Sequence, residues 1–162
     1  MNYWRNPPPA LREREAARFP DWLARLALAL PRLVLLDALA EAIGPDTWRV
    51  RLDVANAGYL SAAVTQRALE RKQVRGVLFE IALPPGASLL GGAPRIEGPQ
   101  LEGHAVKSMQ QSFVPQREPL ADRARGEWLL QAPAGTELQL SARAPRAGTV
   151  RATLRLGATL PG

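Results

Sequence analysis

The chain has 162 residues, a length that suits one domain or a domain with an appendage. It is 46% hydrophobic and 22% charged, an ordinary globular balance, and it has no Cys, which excludes disulfides, thiolate metal sites and cysteine nucleophiles together. The net charge is +6, and because Lys72 and Lys107 are the only lysines, nearly all of the cationic character is Arg.

A basic protein can bind polyanions. Here the Arg residues are spread from Arg5 to Arg155, and no basic run is interleaved with aromatics. Together with the Ala, Leu and Pro richness, this reads as the Arg-for-Lys bias of a GC-rich genome, and nucleic-acid binding is not expected. The longest apolar region, residues 22–36, is cut by Arg25, Pro31 and Arg32. It is shorter than the roughly 20 residues a spanning helix needs, so no membrane span is expected. The first residues bring prolines and acids where a signal peptide needs an apolar core. Absence of Cys fits any compartment, so location stays open, with cytoplasmic as the default for a chain showing no export signal.

In chain order, Asn6 and three prolines, Pro7 to Pro9, make a stiff lead-in, since Pro suits the first turn of a helix. Residues 10–17 are helix-prone, with Arg12, Glu13, Arg14 and Glu15 as a solvated face. Pro20 breaks or kinks this helix, and Asp21 starts a second piece. Phe19, Trp22, Leu23, Leu26 and Leu30 recur at three- and four-residue spacings, so this piece buries one stripe against something. Pro31 ends it. Residues 33–43 fit helix or strand by periodicity alone. Gly44-Pro45-Asp46 is a turn, and the strand after it suggests a hairpin, which favours strand for at least residues 33–39.

That following strand is the clearest landmark. Trp48, Val50, Leu52 and Val54 alternate with Thr47, Arg49, Arg51 and Asp53, so one face is apolar and the other charged. It stops at Asn56-Ala57-Gly58, where Asn and Gly tolerate a positive φ and permit a sharp turn. Tyr59 follows as an aromatic expected to cover the end of the core. Residues 61–73 are polar, and 68–72 read as a short helical turn or as part of a long loop. Val77, Phe79, Ile81 and Leu83 alternate as a strand closed by Pro84-Pro85-Gly86. Leu89-Leu90 and Gln100-Leu101-Glu102 read as two short strands around Gly91-Gly92. Residues 103–124 have no clear period. The last third has three alternating runs, at Trp128 to Ala132, Leu138 to Ala142 and Val150 to Leu156. Two short turns join them, which predicts an antiparallel meander.

These runs predict a mainly β protein: an immunoglobulin-like antiparallel β-sandwich of about seven strands with an N-terminal helical arm. Without Cys it lacks the disulfide of antibody domains. Each sheet needs the other to bury its apolar face.

Residues for chemistry are sparse. A catalytic zinc needs about three protein ligands. His104 is the single His, and it lies in a Gly-rich loop with Glu102 two residues before it, which reads as a surface loop. It has no evident Ser or Cys partner for nucleophilic catalysis. Gly91-Gly92 is too short to cradle a phosphate and reads as a turn. Trp4, Trp22, Trp48 and Trp128 offer aromatic surface for sugar stacking. Trp48 and Trp128 sit on the apolar faces of strands, so core packing is the better reading. Arg49, Arg51, Arg151 and Arg155 point outward, and they form a basic face only if they share one surface.

The order of motifs resembles a known family. Trp-Arg-Asn-Pro-Pro-Pro at residues 4–9 comes first, then Pro-Arg-Leu at 31–33, then Trp-Arg-Val at 48–50 with Asn-Ala-Gly-Tyr-Leu at 56–60. Glu-Trp at 127–128 and Ala-Gly-Thr at 134–136 follow. Together they resemble the C-terminal region of bacterial zinc carboxypeptidases of the carboxypeptidase A type: a connector and last helix, then a β-sandwich accessory domain. Ala57 stands where that group usually has Thr, and Ser61 where it usually has Pro. By this resemblance residues 1–31 are a connector and helix like the end of a peptidase domain, 32–157 are the accessory sandwich, and 158–162 are a tail. The family's zinc ligands, a His-x-x-Glu pair and a later His, have no counterpart here, and its catalytic Glu would lie upstream of Met1. The expectation is therefore no catalytic, cofactor-binding or metal-ligating residue in this chain, and no enzyme in this chain alone.

Two functional expectations result. The first is a non-catalytic accessory domain that supports or orients a metallocarboxypeptidase domain absent from these residues, packed through Phe19, Trp22, Leu23 and Leu26. The second is a free-standing sandwich that uses an Arg-rich face for an anionic partner such as a cell-wall polymer. An exposed apolar helix stripe favours the first. Clustering of Arg49, Arg51, Arg151 and Arg155 favours the second. Neither expectation fixes an oligomeric state.

Overall fold

A computed structural model describes residues 8–62, 66–105 and 122–157. Trp4, the start of the proline lead-in, most of the unpatterned 103–124 stretch and the 158–162 tail lie outside the described residues. A 3₁₀ turn (Pro9–Leu11) leads into α1 (Arg12–Ala16), and α2 (Pro20–Leu28) follows. The first helix stops at Ala16, whose carbonyl Pro20 has no N–H to meet, and Pro20 opens the second helix at a position where that missing N–H is no loss.

The 33–43 ambiguity resolves as strand. β1 (Leu33–Gly44) pairs antiparallel with β2 (Thr47–Asn56) through the tight turn at Asp46, whose φ is +50°. After α3 (Gln66–Glu70) come β3 (Leu78–Ala82), β4 (Ser88–Gly91), β5 (Arg95–Glu97), β6 (Arg123–Gln131), β7 (Glu137–Ala144) and β8 (Gly148–Arg155). The strands form two antiparallel sheets of four, ordered β1-β2-β6-β4 and β5-β3-β7-β8. The first order is that of strands A, B, E and D of an immunoglobulin-type sandwich. The second is C, F and G with an extra edge strand beside C.

Two expectations need correction. The short strand expected at residues 100–102 is irregular, and the pairing strand is β5, directly before it. Pro99 cannot extend β5 because it has no N–H to give a ladder, so Leu101 instead drops into the core as a fully buried plug. The predicted meander is also broken, since β6 pairs with β2 and β4, whereas β7 pairs with β3 and β8. Alternation reports which residues face inward, and both sheets face the same core. It therefore cannot tell a hairpin from a crossing between sheets. The crossing is made at Pro133 to Thr136, where Gly135 has φ +85° and the Thr136 hydroxyl donates to the Pro133 carbonyl at 2.6 Å.

The core lies between the sheets. Val50, Leu52 and Val54 of β2 and Trp128 and Leu130 of β6 meet Phe79 of β3 and Leu138 and Leu140 of β7. Both inner-face indoles are buried and hydrogen-bonded, Trp48 Nε1 to the Ala132 carbonyl and Trp128 Nε1 to the Ala93 carbonyl, each at 2.9 Å. Their role is packing, as expected for residues on apolar strand faces. The two sheets meet tightly where Gly126 of β6 faces the Phe79 ring of β3. A Cβ at Gly126 would stand 2.8 Å from Phe79 Cγ. Gly126→Ala should therefore lower unfolding stability by about 1–3 kcal/mol, since overpacking forces a ring or strand to move. Exposed Leu90→Ser should change it by less than about 0.5 kcal/mol. Urea unfolding of the two variants checks this.

Candidate functional site

The corner after β2 joins the helical arm to the sandwich. Asn56 is the one buried polar side chain among the described residues, at 1% exposure. Its Oδ1 accepts from the backbone N–H of Arg32 and of Gly58, both at 2.9 Å. Its Nδ2 donates to the Leu60 carbonyl at 2.9 Å and to the Glu102 carbonyl at 3.3 Å. One amide thus satisfies groups from the connector, the corner and the loop beyond β5. The backbone adds Ala57 N–H to the Arg32 carbonyl at 2.8 Å and Leu60 N–H to the Ala29 carbonyl at 2.9 Å.

Asn56 and Gly58 tolerate a positive φ, but the corner turns without either adopting one. Gly58 is required for another reason: a Cβ there would stand 2.2 Å from the Leu30 carbonyl oxygen and 2.6 Å from Pro31 Cα. Gly103 closes the opposite side in the same way, with Tyr59 O 2.4 Å from its virtual Cβ. Tyr59 does not cover the core end, being 52% exposed, and Leu101 fills that place.

The arm itself carries no buried residue in α1 or α2. Phe19, Trp22 and Leu23 are each more than half exposed, and Leu26 is 46% exposed. The connector is stitched to the sandwich while the apolar stripe is left in solvent.

The four arginines that would make a basic face only by sharing one surface occupy two different sheets, Arg49 and Arg51 on β2 and Arg151 and Arg155 on β8. On the first sheet the charges compensate each other. Arg49 lies 3.6 Å from Glu41, Arg51 3.0 Å from Glu127, and Arg125 grips Asp53 with two bonds of 2.6 and 2.7 Å. Hydrogen bonding to Asp53 raises the Arg125 pKa further above its already high value. On the second sheet two adjoining clefts open. One, of about 310 Å³, is lined by Lys72, Arg75, Arg95 and Arg143 among others, and the next, of about 600 Å³, by Arg143, Arg146 and Arg151. Sequence reading missed this gathering because loop 71–77 supplies two of the cations, and no strand period links a loop to a distant strand.

His104 is exposed, and its N–H donates to the Gly58 carbonyl at 3.2 Å. Among the described residues no three His, Asp or Glu side chains stand where they would hold a metal ion. No helix among them is long and apolar enough to cross a membrane.

The Asn56 junction makes a sharp prediction. Asn56→Ala strands one buried and one part-buried N–H donor and two carbonyls, at roughly 1–3 kcal/mol each at most and not additively, so a loss of about 3 kcal/mol is expected. Asn56→Asp keeps the acceptors but turns a carboxylate toward two carbonyls. The Arg32 and Gly58 N–H groups favour the carboxylate, but burial and the two facing carbonyls outweigh them and raise its folded-state pKa above the unfolded value, so its stability is greatest in acid and falls as pH rises. Thermal unfolding at pH 4 and pH 7 should show the deficit relative to wild type growing with pH.

No curated protein and no solved structure matches the chain. One family matches residues 32–155, a span that runs from the connector through the end of β8. It is described as a domain of unknown function, DUF8731, and because the match covers most of the 162 residues, the chain belongs to that family.

Proposed function

We propose that this chain is a non-catalytic accessory domain whose helical arm docks against a companion domain outside these 162 residues. The observation that carries the reading is the α2 stripe. Phe19, Trp22, Leu23 and Leu26 form one apolar face at helical spacing, and all four are about half exposed. Contiguous exposed apolar surface of this kind marks an interaction site. A short helix has little stability of its own and is held mainly by what it packs against.

The companion suggested by the motif order is a zinc carboxypeptidase domain. The resemblance places a connector and helix between such a domain and its sandwich, where the arm stands here. The chemistry would belong to the companion, because the His-x-x-Glu pair and later His of that family have no counterpart in this sequence. The role left to this chain is to support the companion or orient it. The junction at Asn56 suits that role, since it fixes where the arm leaves the sandwich.

The test begins with the coding sequence adjoining this chain. An adjoining frame with a His-x-x-Glu motif and a later His supplies the companion, and a frame without them removes the carboxypeptidase reading. With the companion in hand, Trp22→Ser combined with Leu26→Ser should weaken its association with this chain at least tenfold by calorimetry. The same pair should shift the sandwich's own unfolding by less than about 0.5 kcal/mol, because neither side chain is buried in it. Undiminished association would remove the arm from the interface.

A further inference from the structure

The outer face of the second sheet gathers positive charge that the fold leaves uncompensated. Two rows of outward residues cross it. One holds Glu97, Leu78, Arg143 and Thr149, and the next Arg95, Glu80, Ser141 and Arg151. Loop 71–77 brings Lys72 and Arg75 to the first row, and the β7–β8 turn adds Arg146. The two clefts share Arg143 and Pro145 and so read as one groove, with Arg143 in the middle.

Glu80 lines the larger cleft and Glu97 stands on the first row, and both are engaged. Glu80 pairs with Arg95 at 3.4 Å, and Glu97 Oε1 accepts from the Gly76 N–H at 3.2 Å. Among the described residues, no carboxylate pairs with Lys72, Arg75, Arg143, Arg146 or Arg151. On the first sheet, by contrast, Arg49, Arg51 and Arg125 all meet acids. Like charges crowded on one sheet face repel. Lys72 and Arg146, on either side of Arg143, also hold left-handed backbones with φ of +53° and +66°, an uncommon state for long side chains.

We infer that this groove binds a ligand carrying two or more phosphate groups. Guanidinium forks match both carboxylate and phosphate. Phosphate fits better because of charge density. Four cations line the smaller cleft, and one carboxylate offers a single negative charge and one edge for a fork. A phosphate offers more oxygens, and as a terminal group nearly twice the charge. The second cleft adds Arg146 and Arg151 beyond Arg143, its one acid, Glu80, being held by Arg95, so a ligand with linked phosphates spans both. Among the described residues no aromatic side chain lines either cleft, so they offer no platform on which nucleic-acid bases would stack. The shared chemistry comes either as a free oligophosphate or as a phosphodiester polymer.

Titration calorimetry of the full chain tests the inference with three probes: tripolyphosphate, a base-free poly(glycerol phosphate) oligomer, and citrate as the carboxylate control. Binding of either phosphate probe at 50 mM salt, weakening as salt is raised, is the expected result. The tighter of the two identifies the source. Arg143→Ala and Arg75→Ala should each weaken it at least fivefold with an unchanged unfolding midpoint, since both side chains are exposed. Arg49→Ala, on the opposite sheet, should leave it unchanged. Absence of phosphate binding, or equal binding by Arg143→Ala, overturns the site. Citrate binding as tightly as tripolyphosphate overturns the assignment to phosphate.

Discussion

The side chain of Asn56 is the constraint on which the layout of this molecule depends. A primary amide can give two hydrogen bonds and accept two, and here all four capacities are used. Its partners come from residues 32, 58, 60 and 102, which no strand ladder connects. Burial makes the arrangement demanding, because each partner left unmade would be a desolvated polar group with no water to replace it. The glycines follow from this. Gly58 and Gly103 lack Cβ atoms because the amide draws three stretches of backbone closer than a side chain would allow.

From that junction the chain goes two ways with different physics. Toward the C-terminus the sandwich buries its apolar faces and closes on Trp128, Phe79 and Leu52. Toward the N-terminus the connector is fixed but α1 and α2 bury nothing. The outer faces of the sandwich differ as well. The first sheet neutralises its own arginines with Glu41, Glu127 and Asp53. The second leaves Arg143, Arg146 and Arg151 without acids among the described residues. A stripe of apolar surface and a face of unpaired cations are two unfinished surfaces on an otherwise well-finished core.

Much of this was legible in the sequence wherever a local period exists. The alternation from Trp48 to Val54 placed β2 and its inward face, and the runs ending at Ala132, Ala142 and Leu156 marked three further strands. The stripe from Phe19 to Leu26 was legible as a helix face. Its exposure was not, because periodicity says that a face is apolar and not whether anything covers it. β5 escaped notice because three residues with a single apolar member, Ile96, carry no period. The exchange of sheets between β6 and β7 escaped because both strands alternate toward one core. Asn56 was read through its backbone, as a turn residue, when its work is done by the side chain. The grouping of Lys72 and Arg75 with Arg143 depends on contacts between distant stretches, which no motif records.

Amide hydrogen exchange of the wild-type chain tests most directly whether the Asn56 amide locks the connector to the sandwich. Locked amides open only with the whole structure, whereas those of an unsupported helix open locally at small free energy. The N–H groups of Arg32 and Gly58, both bound to Asn56 Oδ1, are predicted to exchange as slowly as that of Leu52 in the core. Those of α2 should exchange much faster. Exchange of Arg32 and Gly58 at the rate of α2 would show that the corner is open in solution and would contradict the account.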